Sequence, residues 1–88
     1  MKKKILVVDD ESDFLKMIKI RLEANDYEVL TVLTGKEALD MLKSNKPDAV
    51  LLDILMPGID GLEVLRRIRK IDENLPVYII TAFSTEER

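Results

Sequence analysis

The chain has 88 residues, 47% of them hydrophobic and 35% charged, with a net charge of -3. That size and apolar share suit one small domain with a packed core and exclude a disordered chain, and the acidic balance excludes the basic stripe of a nucleic-acid binder. Cys and His are both absent, so disulfides, thiol nucleophiles, Ser-His-Asp triads and the usual zinc sites are excluded, and any metal must be a hard cation held by oxygen.

Lys2, Lys3 and Lys4 read as a solvated run leading into the first strand. Ile5 to Val8 is a continuous apolar run rich in β-branched residues, the pattern of a strand buried on both faces. It is too short for a secretion signal, and no run approaches the roughly 20 apolar residues of a membrane span. A cytoplasmic chain without membrane attachment is the expectation. From Ser12 to Asn25, Phe14, Ile18 and Leu22 recur at i, i+4, i+8, and Met17 joins them on one helical face. Glu11 and Asp13 suit the positive end of the helix dipole, and Asn25 suits a C-terminal cap.

Tyr27 to Val32 reads as a second strand. Thr34 followed by Glu37 matches a capping box, opening a helix whose face is Ala38, Leu39 and Leu42. Pro47 ends the next connection, and Ala49 to Leu52 is a further buried strand ending in Asp53. Pro57-Gly58 marks a turn in the loop over 54–60. A third helix is predicted from Gly61, with Leu62, Leu65 and Ile68 at helical spacing and a basic solvent side of Arg66, Arg67, Arg69 and Lys70. Pro76 precedes a fourth strand, Val77 to Thr81. The order β-α-β-α-β-α-β predicts a doubly wound α/β domain over 1–88, with a parallel sheet and right-handed crossovers.

In such a sheet, ligands bind beyond the carboxyl ends of the strands, where the strand order reverses. Asp9 and Asp10 follow the first strand, and Asp53 ends the third. Neighbouring strands lie about 4.8 Å apart, so these carboxylates would share one crevice. They would repel one another unless protons or a cation offset the charge. Taken singly, each residue has a structural reading. Asp9-Asp10 suits a polar loop capping a helix, Asp53 a strand end, Thr81 a strand-end hydroxyl and Pro57-Gly58 a simple turn. The three carboxylates, at matching places on the first and third strands, form the candidate site.

Three segments carry a resemblance: Val7-Val8-Asp9-Asp10-Glu11, the run from Leu51-Leu52-Asp53 through Met56-Pro57-Gly58 to Gly61, and Ile79-Ile80-Thr81-Ala82. They resemble the receiver domains of two-component response regulators, whose fold is flavodoxin-like. The resemblance spans the chain and is most specific around Asp53. It implies that Asp53 is the phosphoacceptor and that Mg2+ is bound directly by Asp10, through water by Asp9, and by the backbone carbonyl of Leu55. It also implies that Thr81 contacts the phosphoryl group and transmits the switch, and that Pro57, Gly58 and Gly61 shape the loop. The donor it implies is a sensor histidine kinase or a small acyl phosphate. An ionised carboxylate is already a nucleophile, so the absence of His is no objection.

Complete receivers continue through further helices and a fifth strand that supplies a Lys. Ser84 to Glu87 repeats the capping-box pattern, yet the sequence stops at Arg88. The expectation is a truncated receiver lacking its last helices and fifth strand. Such a chain would self-associate through an exposed fourth-strand edge or an uncovered sheet face. The competing reading is a receiver-derived assembly module without phosphotransfer. A haloacid-dehalogenase-type phosphatase would want an Asp where Leu55 stands. A nucleotide-binding domain would want a Gly-rich loop where Asp9-Asp10-Glu11 stands.

Overall fold

The computed structural model describes residues 2–55 and 61–80. Along the chain run β1 (Lys4–Val8), α1 (Ser12–Ala24), β2 (Glu28–Val32), α2 (Gly35–Asn45), β3 (Ala49–Asp53), α3 (Gly61–Ile71) and β4 (Val77–Ile80). The strands form one parallel sheet in the order β2-β1-β3-β4. The order reverses at β1, which pairs with β2 on one side and β3 on the other. The alternation of periods in the sequence thus gives the doubly wound α/β architecture it predicts.

Two apolar layers hold helices to the sheet. On one face Ile5, Val7 and Val29 pack with Leu15 of α1, flanked by Phe14, Ile18 and Leu22. On the other, Leu6, Val8, Val50 and Leu52 pack with Ala38, Leu39 and Leu42 of α2 and with Val64 and Ile68 of α3. Adjacent residues of β1 therefore serve opposite layers, and a strand committed to both must be apolar throughout. Leu6, Val7, Val8, Val50 and Leu52 are all fully buried.

The helix faces differ from the sequence pattern in two places. Met17 is 45% exposed, and Leu15 is the buried anchor of α1 in its stead. Leu62 is 51% exposed, whereas Val64 is fully buried with Ile68. The rest of each predicted face packs inward, Phe14, Ile18 and Leu22 in α1 and Leu65 and Ile68 in α3, and the neighbouring sheet decides which flanking residue joins it.

The caps hold α1 and α2 in place. Thr34 Oγ1 accepts from Glu37 N–H at 3.1 Å, as a capping box requires, but the Glu37 carboxylate returns to Leu33 N–H at 3.0 Å. α1 ends at Ala24. Asn25 is its C-cap and donates from Nδ2 to Arg21 O at 2.8 Å, while Asp26 takes the left-handed turn at φ 74°. β2 starts at Glu28, one residue after the Tyr27 start predicted. The basic side of α3 is exposed and partly internal in its pairing. Glu63 meets Arg66 at 3.4 Å and Arg67 at 3.0 Å, and the Arg69 guanidinium donates to Leu75 O. No helix among the described residues is long and apolar enough to cross a membrane.

Candidate functional site

Val8 and Leu52 are partners across β1 and β3, and each is followed at once by an aspartate. The register therefore delivers Asp9 and Asp53 side by side at the carboxyl ends of adjacent strands. One carboxylate oxygen from each of Asp9, Asp10 and Asp53 lies within 4.8 Å of the others. Asp9 and Asp53 are both 8% exposed, and Asp10 is exposed.

The two buried carboxylates are held alike. Asp9 Oδ1 accepts from Glu11 N–H at 2.9 Å, and Asp53 Oδ1 accepts from Leu55 N–H at 2.9 Å. Each is an aspartate bonding the backbone two residues on, a turn that fixes the side chain as the strand leaves the sheet. The donors at Glu11 and Leu55 escaped the sequence reading, although an Asp at a strand end followed by a turn is the signal that would have found them.

Burial pushes the Asp9 carboxyl above its ordinary value of 3.8. The Glu11 N–H opposes that rise, and the charges of Asp53, Asp10 and Glu11 reinforce it. The site gathers negative charge without a described cation to offset it, and its donors are all oxygen. Such a set fits a hard divalent ion such as Mg2+ and does not fit zinc or copper.

Gly61 opens α3 against the segment that leaves β3. A Cβ at this position would overlap the Ile54 Cα and lie 2.9 Å from the Ile54 carbonyl carbon. Only glycine lets the helix start approach so closely, and Ile54 is the residue next to Asp53. Leu55 is about half exposed. Pro57, Gly58, Thr81 and the capping pattern from Ser84 lie outside the described residues. The two grooves that flank β2, of about 330 and 400 Å3, take in none of the three aspartates. The chemistry sits in the carboxylate cluster, where perturbed charge and convergent ligands coincide.

A model of the response regulator receiver domain matches residues 5–88. The chain is 44% identical over 79 residues to the response regulator MprA of Mycolicibacterium vanbaalenii, covering 90% of this chain and 34% of that protein. The response regulator protein TrrA of Thermotoga maritima, solved in complex with Mg2+-BeF, superposes with a TM-score of 0.88 at 45% identity, covering 93% of this chain and 71% of that one. TrrA in complex with the histidine kinase ThkA gives 0.88 at 43% identity, covering 98% and 74%. The chain thus spans about a third of the length of the curated relatives it matches.

Proposed function

The chain belongs to the response regulator receiver domain family, and from that premise we propose that it accepts a phosphoryl group on Asp53 from a histidine kinase or a small acyl phosphate. The observation that carries the proposal is the meeting of Asp9, Asp10 and Asp53 at the ends of β1 and β3. Relatives bound to Mg2+-BeF and to a histidine kinase support it.

In the reaction, an Asp53 carboxylate oxygen attacks phosphorus as the bond to the donor breaks. That bond is P–N in a kinase phosphohistidine and P–O in an acyl phosphate. The electron pair leaves with the donor, and Asp53 becomes a mixed anhydride. The hydrogen bond from Leu55 N–H orients the carboxylate before attack and needs no proton transfer. Asp10, Asp9 through water, Asp53 and the Leu55 carbonyl would hold Mg2+, which when bound supplies charge neutralisation for the equatorial phosphoryl oxygens. Thr81 would contact the phosphoryl group, with Pro57, Gly58 and Gly61 shaping the loop. The role is that of a cytoplasmic signalling domain over 1–88, whose catalysis is confined to its own phosphorylation and dephosphorylation.

Self-association is the further part of this reading. β4 ends the described sheet, with Tyr78 59% and Ile79 43% exposed. Adjacent strand residues face opposite sides, so β4 presents an apolar side chain on each.

Acetyl phosphate and Mg2+ added to the chain, with intact mass as the readout, test the acceptor. The expected result is one added phosphoryl group, absent from Asp53→Asn and from a metal-free sample. An unchanged mass would mean that the chain keeps the receiver architecture without its activity.

A further inference from the structure

β2 is the outermost strand on its side of the sheet and has β1 as its one strand neighbour among the described residues. A parallel strand turns the N–H and C=O groups of alternate residues to opposite sides. Glu28 N–H donates to Lys3 O at 2.8 Å, and Val32 O accepts from Asp9 N–H at 3.2 Å. Residues 28, 30 and 32 therefore face β1, and Val29 and Thr31 direct their backbone groups away from the sheet. Leu33 N–H is taken by Glu37. Edge strands are commonly guarded by Lys, Pro or a bulge. β2 reads Glu-Val-Leu-Thr-Val and runs in unbroken register along β1.

A groove lies on each side of this edge. The one on the α1 face, of about 330 Å3, is lined by Leu15, Lys16, Lys19, Thr31 and Leu33 among others. The one on the α2 face, of about 400 Å3, includes Val32, Glu37, Asp40, Met41 and Ser44. Thr31, Val32 and Glu37 border both, so the grooves stand back to back across the strand. They differ in charge. Lys16 has no ion pair among the described residues, and Lys19 reaches Glu23 at 3.8 Å on an exposed helix surface. Glu37 borders both grooves with its carboxylate on Leu33 N–H, so the difference rests on the two lysines of one side and on Asp40, 4.0 Å from the exposed Lys36, on the other.

We propose that the outer edge of β2 takes up an extended segment of a partner protein by strand addition, with an acidic side chain beside Lys16 and Lys19 and an adjacent basic side chain beside Glu37 and Asp40. Neighbouring residues of an added strand point to opposite faces, so an acidic-basic pair satisfies both grooves in one register, while the backbone bonds Val29 and Thr31. A second copy is the poorer occupant. Antiparallel pairing about an axis normal to the sheet sets Lys16 and Lys19 against the same lysines, and Glu37 and Asp40 against themselves. Neither groove takes in any of the three aspartates, although Val32 O bonds Asp9 N–H, and the proposal does not depend on phosphotransfer.

The test titrates the 15N-labelled chain with the blocked hexapeptide Thr-Val-Glu-Lys-Val-Thr. Amide shifts centred on Val29, Thr31 and Leu33 are expected, with slowed hydrogen exchange at Val29 and Thr31. A peptide N-methylated on its pairing edge should bind about tenfold or more weakly, and so should the hexapeptide to the Lys16→Glu, Lys19→Glu chain. Those two lysines are exposed, so the variant keeps its fold. No perturbation of β2 at millimolar peptide would overturn the proposal, as would equal binding of the N-methylated peptide. Concentration-dependent protection of Val29 and Thr31 without peptide would overturn it in favour of a second copy.

Discussion

Asp9 sits where burial works against its own charge. Because the fold raises its pKa, the folded chain holds the proton more tightly than the unfolded chain does. Asp9 therefore contributes stability below its unfolded value of 3.8, and that contribution is lost as pH rises through the raised folded value. Asp9→Asn keeps an Oδ1 for Glu11 N–H and removes the charge. In metal-free buffer near neutral pH it should melt above the parent, and the gap should close as the pH is lowered past that range. A lower melting temperature for the variant at neutral pH would contradict the assignment. Gly61→Ala tests a different constraint. The new methyl has no room against Ile54, so a loss of about 1–3 kcal/mol is expected in urea unfolding. Its phosphoryl uptake should fall as well, because Ile54 precedes the backbone that holds Asp53.

At the scale of elements, the Thr34 hydroxyl bond to Glu37 N–H fixes where α2 begins. Thr34→Ala should cost about 1 kcal/mol, read as a lower urea midpoint at unchanged slope. This cap was legible from four residues, because its chemistry is local. The runs 5–8 and 49–52 were legible for a similar reason: four apolar residues, rich in β-branched side chains or bounded by turn signals, suit a strand with a layer on each side. The helix faces were less so. Met17 and Leu62 carry side chains as large as the residues that are buried, and choosing Leu15 and Val64 requires knowing where the sheet lies. The three aspartates could be assigned to one crevice because strand ends and strand order suffice for that. Their shared turn through Glu11 and Leu55 N–H, and the reason for Gly61, depend on backbone paths that spacing does not encode.

Across the whole molecule, the two sides of the sheet are unequally covered. β1 and β3 are sandwiched between α1 on one face and α2 with α3 on the other, while β4 leaves Tyr78 and Ile79 open to solvent. The 88-residue chain should therefore self-associate as its concentration rises, seen as a growing sedimentation coefficient. Tyr78→Lys should suppress that growth without lowering stability by more than about 0.5 kcal/mol, as is usual for an exposed site. A monomer at every concentration would leave the β4 surface without that role.

β1, the first of the described strands in chain order, lies inside the sheet, between β2 and β3. A nascent chain can close β1, α1 and β2 into a first unit while β3 is still unmade, and that unit holds Asp9 and Asp10 but no acceptor. On that route the three like charges would meet only when β3 docks, once the apolar face of β1 has a partner in α1. Chain order thus postpones the most repulsive contact until there is folded structure to withstand it.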